Sequence, residues 1–157
     1  MGSGSLRKRP KRVLAAASGG GHWEQLMLLA PALDACDVRF ATTDAAMAVR
    51  HGKEGAAILP DCNQNTPVSA AKCSFVAMFL VFRSRLDIVI STGAAPGFLC
   101  ILWGRITGAR TLWIDSIANA EDLLMCGKLS KRLAHECLTQ WEHLSKEPQP
   151  KFRGAIL

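Results

Sequence analysis

The chain has 157 residues, of which 49% are hydrophobic and 20% charged, and this suits one globular domain with a real core. Its formal charge of +6 is concentrated near the N-terminus, where five of the 19 basic residues lie: Arg7, Lys8, Arg9, Lys11 and Arg12. The other 14 basic residues stand against 13 acidic ones, so the body of the chain is almost neutral. Because a nucleic-acid-binding domain carries a basic face, this disfavours nucleic acid as a partner.

We interpret residues 1–11 as a basic flexible tail ahead of a single domain, residues 12–157. Residues 1–5 resemble a cloning remnant and carry no information on the fold. A short polybasic tail suits anionic lipid headgroups, and a tail that only aids solubility is the alternative. No signal peptide is recognisable, and the longest fully apolar run, residues 75–82, is much shorter than the ~20 residues of a membrane span. We expect a soluble protein, or one peripheral to a membrane.

Six cysteines are present, and none is spaced as Cys-x-x-Cys: Cys36, Cys62, Cys73, Cys100, Cys126 and Cys137. Several of them lie in apolar runs. This pattern indicates small buried thiols in a reducing cytosol rather than a zinc site or a disulfide framework. We predict neither a metal nor a cofactor.

Short apolar runs alternate with helical stretches along the chain. We predict strands at residues 12–17, 38–42, 56–59, 86–91 and 110–114, a candidate sixth at 136–140, and helices at 23–33, 44–51, 68–82, 96–106 and 119–133. This alternation indicates βαβ units and an α/β fold with a parallel, twisted sheet. The helix at 68–82 is apolar nearly all round, which favours burial. Its basic flanks leave a membrane interface as the alternative.

The first candidate site is the loop of Ser18, Gly19, Gly20 and Gly21, which ends at His22. It follows a predicted strand and opens a predicted helix, where glycines allow backbone N–H groups to approach an anion and the helix dipole adds positive charge. An imidazole at this place can accept or donate a proton near neutral pH. The alternative interpretation of the same residues is a tight turn with a histidine exposed to solvent.

A second loop of small residues also joins a strand to a helix, and it contains Thr92, Gly93, Ala94 and Gly97. Ligands of open α/β sheets bind outside the carboxyl ends of the strands. The two loops together therefore predict one concave anion site. Close packing of helix on sheet is the alternative use of such small residues.

Two further pairs of residues follow predicted strands. Asp115 and Ser116 follow the strand at 110–114, where the acid can cap a helix, bind a hydroxylated ligand or orient His22. Gln140 and Trp141 end the candidate sixth strand, where the indole can stack on a sugar or a partner, or pack at the sheet edge.

Taken in order, these motifs resemble one family from Arg12 to the end of the chain. The pattern is Ser-Gly-Gly-Gly-His22, then Asp-Ile-Val-Ile-Ser-Thr-Gly-Ala-Ala at 87–95, Trp-Ile-Asp-Ser at 113–116, Gly-Lys-Leu at 127–129 and Thr-Gln-Trp at 139–141. It resembles the PssD-type subunit of bacterial capsule and exopolysaccharide glycosyltransferases. That family is similar to the eukaryotic subunit that recruits the catalytic half of the dolichol-linked N-acetylglucosamine transferase. Both resemble the N-terminal half of a GT-B glycosyltransferase such as the lipid-II-forming enzyme of peptidoglycan synthesis.

The resemblance implies a Rossmann-like three-layer domain with a mostly parallel sheet, and a split enzyme. This chain would carry the acceptor side, and a second chain would bind the nucleotide sugar. The implied reaction transfers glucuronic acid from UDP-glucuronate to an undecaprenyl-diphosphate-linked sugar at the cytoplasmic face of the inner membrane. His22 would be the base, Asp115 would orient it or bind a sugar hydroxyl, and residues of the two loops together with Ser116 would hold the diphosphate.

Two other functions compete with this one. In the first, the chain is a non-catalytic scaffold that docks the catalytic subunit at the membrane. In the second, it is a dinucleotide-binding oxidoreductase, but residues 19–21 lack the G-x-G-x-x-G spacing and no acidic residue clearly ends the second strand. The apolar segment at 152–157 is expected to pack on its own sheet edge or on the partner, and we predict that it docks the partner.

Overall fold

The structure, a computed structural model, describes residues 9–156, in which seven parallel strands form one sheet. The strands are β1 (Arg12–Ala17), β2 (Asp37–Thr42), β3 (Ala57–Ile58), β4 (Ile88–Gly93), β5 (Arg110–Ile114), β6 (Glu136–Thr139) and β7 (Lys151–Phe152). Their order across the sheet is β3-β2-β1-β4-β5-β6-β7. Every pairing is parallel, so the predicted α/β fold is confirmed and the sheet is parallel throughout.

Five α-helices connect the strands: α1 (Gly21–Leu29), α2 (Ala45–Arg50), α3 (Pro67–Ser84), α4 (Ala94–Ile106) and α5 (Met125–Leu133). Helix α4 packs between α3 and α5 in one layer, and α1 packs on β1 and β4. Strand β1 is central and fully buried from Val13 to Ala17. Its alanines leave room for a close helix: a Cβ on Gly97 of α4 would lie 2.0 Å from Ser91 Oγ and 3.4 Å from the carbonyl oxygen of Ala16.

Helices α1 and α5 differ most from their predicted bounds, whereas the ends of α2, α3 and α4 lie within two residues of the prediction. Helix α1 begins at Gly21, two residues before the predicted start, and ends at Leu29, where a 3₁₀ turn that contains Pro31 continues to Leu33. Proline has no N–H for the α-helical ladder, which explains the change. Helix α5 begins at Met125 rather than at Asn119, because residues 115–123 form turns held by local side-chain hydrogen bonds.

All six cysteines are free thiols, and four of them are buried: Cys62, Cys73, Cys100 and Cys137. Helix α3 has the length and composition of a membrane span, but one face lies in the core through Cys73, Ala77 and Val81. The expectation that α3 is buried therefore holds for one face alone. Most of the predicted tail lies outside the described residues. The described part of the tail includes Arg9, which forms an ion pair with Asp87 at 2.8 Å.

Candidate functional site

A cavity of about 370 Å³ lies at the carboxyl ends of the central strands. Its walls come from the starts of three helices and from the loops after β3 and β5. The lining residues are His22, residues 62–64, residues 93–95, Trp113, Asp115, Asn119 and residues 124–127. His22 and Asp115, the two predicted catalytic residues, therefore lie on the wall of one cavity.

Three helices within residues 9–156 begin next to this cavity, and none of them has a capping hydrogen bond from the side chain of its N-cap residue. Helix α1 begins next to Gly20, α4 next to Gly93 and α5 next to Leu124. The first-turn N–H groups of a helix have no intrahelical partner, and the helix dipole places partial positive charge there. The ends of α4 and α5 line the cavity, whereas α1 contributes the His22 side chain. The described lining contains one carboxylate, Asp115, and neither Lys nor Arg. This arrangement suits an anionic group.

The His22 ring is held by the backbone of β4. Its Nδ1 lies 3.1 Å from the carbonyl oxygen of Thr92, and Thr92 Oγ1 donates to the carbonyl oxygen of His22 at 2.6 Å. A carbonyl oxygen only accepts hydrogen bonds, so Nδ1 carries the proton of the neutral ring and Nε2 keeps its lone pair. In the described part of the chain Nε2 has no hydrogen-bond partner, and a base needs such a free lone pair.

Gly93 allows this close approach. A Cβ at that position would lie 2.1 Å from Nδ1 of His22, and the backbone has φ +149°. The next residue, Ala94, has φ +65°, which is uncommon for a residue with a Cβ. Thr92 is fully buried, and the Gly93 N–H donates to Ser91 Oγ. These two residues, which were predicted to bind an anion, therefore make their contacts within the protein.

Asp115 is almost fully buried, with its carboxylate between two donors. Trp113 Nε1 donates to Oδ1 at 3.1 Å, and Asn119 Nδ2 donates to Oδ2 at 2.9 Å. Burial raises the pKa of this carboxyl above its usual value, and these hydrogen bonds and the nearby His22 act in the opposite direction. A Cβ on Gly127 would lie 2.6 Å from Oδ1, so the first turn of α5 closes over the carboxylate. Among the described residues, Asp115 neither caps a helix nor hydrogen-bonds to His22.

Ser116 and Gln140 belong to a buried polar network rather than to the cavity wall. Gln25 of α1 donates to Ser116 Oγ at 3.1 Å. Gln140 Nε2 donates to Gln25 Oε1 and to the carbonyl oxygen of Asp115, each at 3.0 Å. The predicted sugar or partner contact Trp141 donates from Nε1 to the carbonyl oxygen of Ile117 at 2.8 Å.

The first glycine loop faces a second, polar depression. Ser18, Gly19 and Gly20 line it together with Thr43, Asp44, Ala45 and Asp61. Gly19 N–H donates to Thr43 Oγ1, and Gly20 N–H to the Met47 sulfur. Gly21 begins α1, and Gly97 lies inside α4. The two predicted loops thus do not form one cradle, and of their glycines and alanines Gly93, Ala94 and Ala95 line the cavity with His22.

Gln25 is a residue of the buried network next to the site that sequence reasoning missed. It lies one turn after His22, and its hydrogen-bond partners lie 91 and 115 residues away along the chain. No group of three or more His, Cys, Asp and Glu side chains within residues 9–156 is placed to hold a metal ion.

No protein-family model matches the sequence, and no curated protein is detectably similar to it. Solved structures are similar in fold. MurG from Acinetobacter baumannii is 19% identical with a TM-score of 0.74, and the match covers 91% of this chain and 45% of that one. A glycosyltransferase from Rickettsia africae ESF-5 is 11% identical with a TM-score of 0.60, covering 85% and 37%. The chain has the Rossmann-like fold of GT-B glycosyltransferases.

The same fold occurs in a UDP-N-acetylglucosamine 2-epimerase, which is 10% identical with a TM-score of 0.62 over 84% of this chain and 42% of that one. The chain thus spans less than half the length of each of these three proteins. At these identities the likeness shows the fold, and the reaction must be argued from the site.

Proposed function

We propose that the chain is the acceptor-binding subunit of a split glycosyltransferase. The observation that carries the proposal is the convergence of the uncapped N-termini of α4 and α5 and the His22 ring on one cavity. The partial positive charge of these helix ends, next to a base, fits a sugar linked to a diphosphate. The fold supports the proposal as well, because two of the three similar structures described above are glycosyltransferases.

In the proposed reaction, Nε2 of His22 accepts the proton of an acceptor hydroxyl while that oxygen attacks the donor sugar. The bond from the sugar to UDP breaks, and UDP leaves with the bonding electrons. The Thr92 carbonyl holds the proton on Nδ1 and stabilises the imidazolium that forms. Asp115 adds negative charge near this cation. The first-turn N–H groups of α4 and α5 bind the acceptor diphosphate.

The donor follows from the resemblance: we propose UDP-glucuronate, bound by the partner subunit, and an undecaprenyl-diphosphate-linked sugar as acceptor. The site would then work at the cytoplasmic face of the inner membrane. The exposed face of α3 supports this location, since Val68, Phe75, Phe79 and Phe82 are each more than half exposed. Basic residues flank them, as in helices that lie on anionic lipid.

A transfer assay in membranes tests the proposal. Membranes from cells that lack this chain are given labelled UDP-glucuronate, and we expect the wild-type chain to restore label in the lipid fraction. His22→Ala should remove this activity while the partner still co-precipitates. His143→Ala is the matched control, because His143 is bonded to the Ala120 carbonyl away from the cavity. No restoration by the wild type would reject the transferase, and full activity of His22→Ala would establish the scaffold instead.

A further inference from the structure

Gln140 connects three parts of the molecule through one buried side chain. Its amide nitrogen donates to Gln25 of α1 and to the Asp115 carbonyl at the end of β5. Its amide oxygen accepts from the backbone N–H of Ile156 at 3.1 Å. Both N–H groups and the oxygen of this amide are therefore used, each by a different element.

Two of these elements carry the candidate site. Helix α1 carries His22 on the cavity wall, three residues before Gln25, and Asp115 carries a buried carboxylate on another part of that wall. Gln140 thus joins the part of the wall with His22 to the part with Asp115. An unmatched polar group is costly in such a buried network, so loss of one bond forces the others to adjust.

The third element, the C-terminal segment of residues 153–156, is loosely packed. Ile156 lies against the apolar cluster of the sheet, but Arg153, Gly154 and Ala155 are exposed. A groove of about 350 Å³ lies beside the segment, between it and Leu28, Leu29, Ile114 and Leu138. Displacement of the segment therefore takes one partly buried apolar side chain, Ile156, away from the core of the sheet.

We propose that Gln140 is a positioning residue that couples the C-terminal segment to the candidate site. When the segment is displaced, Gln140 loses the Ile156 N–H and the Asp115 wall shifts relative to His22. The proposal rests on the proposed function only in that His22 is the base and Asp115 lies near it. A partner that binds the segment would thereby change the geometry of the site.

The indole N–H groups are natural reporters for this coupling. Trp113 Nε1–H donates to Asp115 and reports on that wall, whereas Trp103 Nε1–H donates to Ser74 in the α3–α4 layer and serves as an internal control. Nitrogen-15 spectra of the whole chain would compare the wild type, Gln140→Met, a chain that stops at Gly154, and the two changes combined. Gln149→Met is the matched control substitution, since Gln149 lies at the opposite end of β6 near His135.

We expect Gln140→Met and the truncation each to shift the Trp113 indole resonance and the His22 ring resonances, while Trp103 stays in place. The combined variant should shift no further than Gln140→Met, because both changes act through one bond. Exchange of the Ile156 amide hydrogen in Gln140→Met should be about three- to tenfold faster, as for the loss of one hydrogen bond.

A truncation that leaves Trp113 and His22 unmoved would overturn the proposal, and so would shifts that simply add in the combined variant. If Gln140→Met does not fold, the truncated chain, which keeps Gln140, can still support or overturn the proposal. The spectra use neither donor nor acceptor, so a failure to find glycosyl transfer leaves this test unaffected.

Discussion

His22 and Thr92 hold each other through two hydrogen bonds, one between the His22 ring and the Thr92 carbonyl and one from the Thr92 hydroxyl to the His22 carbonyl. The pair joins the first turn of α1 to the end of β4. It sets the position of the ring and also its tautomer, which leaves Nε2 as the basic nitrogen. A residue that sequence reasoning assigned to anion binding thus holds the candidate base.

Thr92→Val should lower both stability and transferase activity. The substitution keeps the shape and the backbone carbonyl but removes the hydroxyl that donates to the carbonyl oxygen of His22. Loss of one such hydrogen bond costs about 0.5–1.5 kcal/mol of unfolding free energy. Urea unfolding measures the stability, and nitrogen-15 spectra of the His22 ring measure the tautomer. Thr92→Ser keeps the hydroxyl and should restore most of both; equal losses in Ser and Val would show that the hydroxyl is not the cause.

Gly93→Ala should displace the His22 ring. The new Cβ would meet Nδ1 at 2.1 Å, and φ +149° is strained for any residue with a side chain. Gly108→Ala is a matched control, since Gly108 has φ +83° and a methyl group added there would meet no described atom within 4 Å. Both variants should lose stability, on the order of 1 kcal/mol from backbone strain. Only Gly93→Ala should alter the His22 ring resonances and abolish transfer; normal His22 resonances in it would contradict the proposed contact.

The order of strands and helices was predictable because apolar runs and helical stretches alternate regularly. Ile88 to Ile90 of β4 is a continuous apolar run, as expected of a buried parallel strand, and it is followed by small residues and helix α4. The start of α5 was not predictable from its helical composition. Local bonds from Asn119 to Asp115 and within residues 116–123 keep that stretch in turns.

The site was predictable in part. A sequence pattern places His22, Gly93 and Asp115 after strands, and all three line the cavity. It does not show which backbone amides are already used: Gly19 donates to Thr43, and Gly20 to Met47, both more than 20 residues away. The hydrogen bond between Gln25 and Gln140 depends on residues that are far apart in the sequence, and local sequence patterns do not reveal such contacts.

His135 should make stability depend on pH. Its Nδ1 accepts from the backbone N–H of Thr111 at 3.1 Å, so this bond requires an unprotonated nitrogen. Burial, with Arg105 and Arg110 nearby, holds the pKa of His135 below its usual 6.5. The unfolded chain then binds a proton more readily than the folded one, so this stability is present above pH ~6.5 and is lost as the pH falls through the lower folded pKa.

Urea unfolding between pH 8 and pH 5 would measure the His135 contribution. The wild type should lose unfolding free energy as the pH falls below ~6.5, and His135→Asn, whose amide oxygen can accept from Thr111 but does not titrate, should lose less. Parallel pH profiles for the two chains would show that His135 does not contribute.

The exposed face of α3 should bind anionic vesicles. Phe75 and Phe79 are 65% and 59% exposed although α3 packs its other face on α4, and transfer of each ring out of water contributes on the order of 1 kcal/mol or more. The double variant Phe75→Ser, Phe79→Ser should therefore reduce co-sedimentation with vesicles that contain phosphatidylglycerol by about tenfold or more. Its control is Leu28→Ser, Val49→Ser, which removes two similarly exposed apolar side chains from α1 and α2. Equal loss in both double variants, or none in either, would show that α3 is not the lipid-binding face.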